Sequence, residues 1–449
     1  MLILYIVNII YKRKDVPHKM MYLLYRSFVS VWVSLVMMFV SFVPGFVAPE
    51  NTGAEGKSYP YIFVHGFLGW GEEEGIDEDL SYWGASACYL MQELRDRGVE
   101  CRNASVGPFS SNWDRACELY AQLTGSTVDY GVAHSKQHNH ARFGRTYTEP
   151  MVEGWGEIDE DGHIKKVNLV GHSFGGNTIR LMQGLLSKGY SAEIEATDPD
   201  DISPLFTGGK ANYVNSVTTI CTPNNGTSLA YIADDLHLIA IGEIALFLYA
   251  AVLGRSPING YVDFHLEQFG LTYVPGQKTT VSDIFKAIST ILQQKYDNVA
   301  FDLSCEGAKA LNDHVYPDPN VYYFSYAFST TVADPLTGKA QVPLPSTLCI
   351  LRSYSEMMGI YPDNPDAPYP IDETWRPNDG LVNVVAAQYP FGNPHKDYDP
   401  ESIEPGMWNV MPVSIGDHGN AIGIGVTAEA LVDYYMDMIG MIDSLPITD

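Results

Sequence analysis

Gly171-His172-Ser173-Phe174-Gly175 stands between two stretches of different periodicity, and its position between them decides how the chain folds. On the N-terminal side, Lys165-Lys166-Val167-Asn168-Leu169-Val170 ends in a short apolar run with β-branched residues, the pattern of a buried strand. On the C-terminal side, Gly176-Asn177-Thr178-Ile179-Arg180-Leu181-Met182 opens an amphipathic helix. Gly171 and Gly175 carry no Cβ, so strand and helix can approach closely around a tight turn. That turn lifts the Ser173 hydroxyl clear of the backbone, beside a helix N-terminus that favours developing negative charge. A G-x-S-x-G pentapeptide alone says little in a chain of 449 residues. With a strand before it and a helix after it, Ser173 becomes a candidate nucleophile.

This strand–turn–helix resembles the nucleophile elbow of the α/β-hydrolases. The resemblance implies one α/β domain with a doubly wound, mostly parallel sheet, and a triad in the chain order Ser, acid, His. Tyr61-Ile62-Phe63-Val64 reads as a buried strand, and His65-Gly66-Phe67-Leu68-Gly69-Trp70 follows as a glycine-rich loop. In such a fold this loop supplies one backbone N–H of an oxyanion hole and the elbow supplies the other, here Phe67 and Phe174. Residues 82–97 read as a helix, 99–106 and 213–220 as further strands, and 153–162 as a solvated acidic loop.

The acid should stand on a loop just after a late strand. Pro377-Asn378-Asp379-Gly380 is a turn signal leading into an apolar run, so Asp379 is the candidate. The base should lie near the C-terminus, and Gly416-Asp417-His418-Gly419 offers His418 ahead of a last helix ending near residue 443. The competing Asp363, Asp366, Asp372, Asp397 and Asp399 sit in loops expected to face water, and His395 in what reads as an exposed turn.

Composition sets the bounds. The chain carries 27 Lys+Arg against 54 Asp+Glu, a net charge of −27. So acidic a body disfavours nucleic acid and anionic membrane surfaces as electrostatic partners. The amino terminus differs: Lys12, Arg13, Lys14, Lys19 and Arg26 flank an apolar run over 27–40, followed by Pro44, Gly45 and Ala48. Residues 1–48 therefore read as a secretory signal, with an uncleaved membrane anchor as the alternative, and 49–449 as the α/β domain. Six scattered cysteines form neither a disulfide framework nor a C-x-x-C metal site. Residues 236–253 are nearly all aliphatic and read either as a core helix or as a helical lid that docks on a lipid surface when open.

Longer strings carry a more specific resemblance. Ser110-Ser111-Asn112-Trp113-Asp114-Arg115-Ala116-Cys117-Glu118, Val128-Asp129-Tyr130-Gly131-Val132-Ala133-His134, His138-Asn139-His140-Ala141-Arg142-Phe143-Gly144-Arg145-Thr146-Tyr147 and Asn378-Asp379-Gly380 are similar to the zinc-containing, thermoalkalophilic bacterial lipases. The likeness covers nearly everything from Tyr59 onward. The three histidines of one short polar loop suggest a metal, with plain surface histidines as the other reading of the residues alone. The resemblance implies Asp114, His134, His140 and Asp297 as ligands of a structural Zn2+, with His138 a bystander and Asp302 a competitor for the fourth place. The family also binds Ca2+ beside the catalytic histidine. Asn420 and Gly425 stand here where its acidic ligands belong, so that site is expected to be absent.

The function that this resemblance implies is a secreted lipase hydrolysing acylglycerol esters through a Ser-Asp-His triad and an acyl-enzyme. The alternatives are a short-chain esterase or phospholipase, or a non-catalytic lipid-binding relative that has kept the fold.

Overall fold

The computed structural model describes Gly45 and residues 58–74, 76–77, 80–235, 263–271 and 281–448. Seven strands form its central sheet: β1 (Tyr61–Val64), β2 (Cys101–Ala104), β3 (Val167–His172), β4 (Val214–Ile220), β5 (Tyr322–Tyr326), β6 (His395–Asp397) and β7 (Trp408–Val410). Their order is β6-β7-β5-β4-β3-β1-β2, and every neighbouring pair is parallel.

Five helices matter for the site: α1 (Leu90–Asp96), α2 (Asn112–Thr124), α3 (Val132–His138), α4 (Phe174–Lys188) and α5 (Ala428–Asp443). They cover the sheet on both faces. Tyr61 and Phe63 of β1 join Leu90 and Leu94 of α1 and Leu431, Tyr435 and Ile439 of α5 in one core. Ile62 and Val64, pointing the other way, join Leu119 and Leu123 of α2 and Ile179 and Leu186 of α4 in a second. A parallel sheet covered on both faces leaves no strand position facing water, so β1, β3, β4 and β5 are buried along their whole length, polar residues such as Asn168, Ser216 and Ser325 included. The crevice beyond the C-terminal ends of β1, β3 and β4 is where such a fold places a site.

Local chemistry sets the helix ends. Ser111 caps α2 by accepting from the Asp114 N–H at 3.3 Å, and Gly125 ends it in the left-handed region at φ 63°. The helix expected over 82–97 is shorter. Gly84 at φ 108° and Ala85 at φ 37° interrupt it, so only Leu90–Asp96 is helical. The strand expected over 99–106 narrows to Cys101–Ala104.

Helix Ser228–Asp235 opens the aliphatic stretch, but the expected lid over 236–253 lies outside the described residues, as do 1–44 and 46–57. Gly45 pairs with Ile415 through N–H···O bonds of 3.0 and 3.2 Å. Among the described residues no helix is long and apolar enough to cross a membrane. Among the described residues, no two cysteines are joined in a disulfide.

Candidate active site

Ser173 sits at the turn between β3 and α4 with φ 55° and ψ −129°, a backbone conformation that costs a serine on the order of 1–3 kcal/mol. The fold holds it there: the Ser173 N–H donates to Ile220 O of β4 at 2.8 Å. A Cβ on Gly175 would lie 2.1 Å from Val64 O, so only glycine lets α4 start this close to β1.

Asp379 lies in a tight loop closed by an Asn378–Asn383 bridge. It follows a 3-10 turn over Glu373–Trp375 rather than the strand expected to precede it. One carboxylate oxygen accepts from the N–H groups of Leu381 at 2.9 Å and Val382 at 2.7 Å. The other accepts from His418 Nδ1 at 2.8 Å, and the His418 N–H donates to Asp379 O at 2.9 Å. A carboxylate only accepts, so Nδ1 carries the proton and Nε2 keeps its lone pair. His418 and Ser173 line the same cavity, whose other walls include Leu68, Trp70, Leu229, Leu351 and Ile422. The competing aspartates are exposed, and His395 belongs to edge strand β6, stacked on Tyr389, rather than to a turn.

Phe67 follows β1 and lines the cavity, while Phe174 is the first residue of α4, where backbone N–H groups lack helical acceptors. Arg115 of α2, which sequence reasoning missed, braces both segments. It donates to the carbonyls of His65 and Gly107 (2.9 Å to Gly107 O) and to Thr178 Oγ1 at 2.9 Å, and lies 4.9 Å over the Phe174 ring. Burial lowers its pKa to about 10, so it stays charged at neutral pH. Asp417, which immediately precedes His418, is buried. Burial pushes its carboxyl up to about 7, while the N–H groups of Leu348, Gly419 and Asn420 pull the other way.

Asp114, His134, His140 and Asp297 converge, their ligand atoms all within 4.8 Å of one another. His134 Nε2 is 3.3 Å from Asp114 Oδ1 and 3.4 Å from Asp297 Oδ1, and His140 Nε2 is 3.5 Å from Asp297 Oδ2. These five atoms are buried and lack hydrogen-bond partners. Each orphan costs about 1–3 kcal/mol unless something satisfies it, and a cation at their centre satisfies all five. The groups behind these ligands suit such an ion. His140 Nδ1 donates to Ala141 O at 2.8 Å, leaving Nε2 bare, and Gln268 Nε2 donates to the other Asp114 oxygen at 2.7 Å. His138 stands outside the group. Asp302 does too: it accepts from the Asn112 N–H at 2.6 Å, and burial pushes it up to about 7.

His172, Cys221 and His418 also lie within ligand distance of one another. Both His172 nitrogens and His418 Nδ1 are committed to hydrogen bonds, so this group belongs to the surroundings of Ser173.

The region after His418 does not suit Ca2+. Asn420 spends its side chain inside the loop, accepting from the Asp417 N–H at 2.7 Å and donating to Ile424 O at 2.9 Å. Gly425 offers no side chain, and Asp417 already accepts three N–H groups.

Comparison with known proteins agrees with this fold. Residues 57–443 match the family model described as "Lipase-like, C-terminal domain". Lipase 2 of Staphylococcus aureus is 35% identical over 374 residues, covering 82% of this chain and 51% of that protein. The chain therefore spans about half the length of the curated relatives it matches. The solved structure of EstA from Clostridium botulinum is 36% identical with a TM-score of 0.77, covering 91% of this chain and 94% of that one. Lipase 1 from Pelosinus fermentans is 37% identical with a TM-score of 0.73, covering 85% and 98%. With the family model matching most of its length, the chain belongs to the bacterial lipase family of the lipase-like C-terminal domain.

Proposed function

We propose that the chain is a secreted carboxylic ester hydrolase acting on acylglycerols. One observation carries the reading: the His418–Asp379 pair, with Nε2 left bare, shares an apolar-walled cavity with Ser173. His418 Nε2 takes the Ser173 proton as Oγ attacks the ester carbonyl carbon. Asp379 fixes the tautomer and stabilises the imidazolium. The N–H groups of Phe67 and Phe174 hold the oxyanion. His418 then returns its proton to the departing alkoxide, releasing the alcohol. Water, deprotonated by the same nitrogen, attacks the acyl-serine, and the carboxylic acid leaves with Ser173 restored.

Asp114, His134, His140 and Asp297 would hold the metal, and four protein ligands with no open position describe structural Zn2+. When bound, the ion supplies a cross-link and no chemistry. The apolar stretch over 236–253 serves as a lid that meets the lipid surface, and residues 1–48 direct export.

One experiment covers substrate and location. Produced from the whole sequence in a secreting bacterial host, the chain should appear in the medium beginning after about residue 48. Its hydrolysis of glyceride esters should rise with acyl length and above the substrate's solubility limit. Activity confined to short soluble esters selects the esterase alternative, and activity retained in the membrane fraction selects the anchor. Binding of lipid without hydrolysis would contradict the reading.

A further inference from the structure

Behind Ser173, a line of hydrogen bonds joins the loops that carry the proposed machinery. The Gly66 N–H donates to Tyr82 Oη at 2.9 Å. Tyr82 Oη lies 2.6 Å from His172 Nδ1, and His172 Nε2 lies 3.1 Å from His418 O. The directions are forced. A carbonyl only accepts, so Nε2 must carry the proton and donate to His418 O. Burial, and then the nearby His418, hold the His172 pKa well below its ordinary value, so the ring is neutral and Nδ1 is bare. Nδ1 therefore accepts from the Tyr82 hydroxyl, whose oxygen in turn accepts from Gly66. The opposite tautomer would set a bare Nε2 against the lone pairs of His418 O.

We propose that Tyr82 and His172 are positioning residues that hold the oxyanion-hole loop and the loop of the general base in register across the nucleophile elbow. The inference rests on the hydrolase reading above. The line touches each proposed group at close range: Gly66 precedes Phe67, His172 precedes Ser173, and the His418 carbonyl belongs to the base itself. A Cβ on Gly66 would lie 2.7 Å from Ser173 Cβ and 3.1 Å from Tyr82 Oη, so the loop approaches only as glycine. Trp70 and Trp83 pack edge-on against Tyr82 at 5.8 and 5.5 Å, which keeps its hydroxyl aimed at His172. The His172 and His418 rings are 4.7 Å apart. An imidazolium forming on His418 therefore meets a neutral neighbour that fixes its main chain without repelling its charge. Cys221, which lies within ligand distance of both rings, is also neutral, since burial pushes its thiol well up.

The test uses Tyr82→Phe, His172→Leu and His172→Gln, with a water-soluble ester and with 15N-histidine NMR. In the wild-type protein His172 should show a protonated Nε2 and a bare Nδ1, unchanged between about pH 5 and 9. Tyr82→Phe should disturb that signal and lower kcat about 10- to 100-fold, a loss the size of one or two hydrogen bonds, with KM held. His172→Leu should behave similarly. His172→Gln, which retains an N–H donor, should recover part of kcat. A kcat loss that merely follows the fraction of folded protein, with no recovery in His172→Gln, overturns the proposal. So does a His172 that titrates or carries its proton on Nδ1. A wild-type protein that hydrolyses no ester would instead refute the hydrolase reading, while the histidine spectrum would still decide the relay.

Discussion

Two residues at the ends of adjacent strands adopt backbone conformations that favour glycine: Ser173 after β3 at φ 55° and Cys221 after β4 at φ 51°. Strain of this kind persists only where the surroundings over-determine it. Here the N–H groups of Ser173 and Cys221 bond to Ile220 O and Tyr326 O, each on the next strand. Asp417 adds a titration beside the base. Its folded pKa is raised from the usual carboxylate range to about 7, so the folded state holds this proton more tightly than the unfolded chain does. The resulting stability is complete below about pH 4 and is lost as pH rises through 7. Asp417→Asn removes that dependence, and its melting temperature should fall less than the wild-type value between pH 5 and 8. Equal slopes for the two proteins would refute the assignment.

Residue chemistry was only partly legible in the sequence. Ser173, Asp379 and His418 could be singled out because turn residues and strand edges announce them, and the structure brings His418 and Asp379 together beside the same cavity as Ser173. Arg115 and Tyr82 could not. Their partners are backbone groups such as His65 O and the Gly66 N–H, tens of residues away or in another element, and a bond to backbone leaves no mark on residue type.

At the scale of elements, apolar and β-branched residues identified β1, β3 and β4, which are buried on both faces of the sheet. Short edge strand β6 reads as a turn, since His395-Lys396-Asp397 is polar and largely solvated. The metal group depends on elements meeting. Asp114 comes from α2, His134 from α3, His140 from the loop after α3, and Asp297 from just before helix Val299–Leu303. An ion there ties segments more than 150 residues apart in the chain, and its binding energy adds directly to folding stability. Strong chelation should lower the melting temperature by roughly 5–10 °C, from about 4 kcal/mol of linkage at a thousand-fold excess over Kd. Zinc should restore it and calcium should not. His134→Ala should match the chelated protein and no longer respond to zinc, while still hydrolysing ester below its melting point. A wild-type protein indifferent to chelation, and free of metal by elemental analysis, would refute the site.

On the scale of the whole molecule, one sheet with two cores positions the proposed triad and oxyanion hole. β1 delivers Phe67, β3 delivers Ser173, and the chain beyond β5 returns Asp379 and then His418 to the same crevice. The net charge of −27 disfavours polyanionic partners. The central claim is that Ser173 is the nucleophile. Treating the protein with an alkyl p-nitrophenyl phosphonate and mapping the adduct by peptide mass spectrometry tests it most directly. The account predicts one phosphonyl group, on Ser173, with hydrolysis lost in proportion to labelling, and neither labelling nor hydrolysis in a folded Ser173→Ala protein. Hydrolysis that survives full labelling of Ser173, or inactivation with the adduct on another residue, would contradict it.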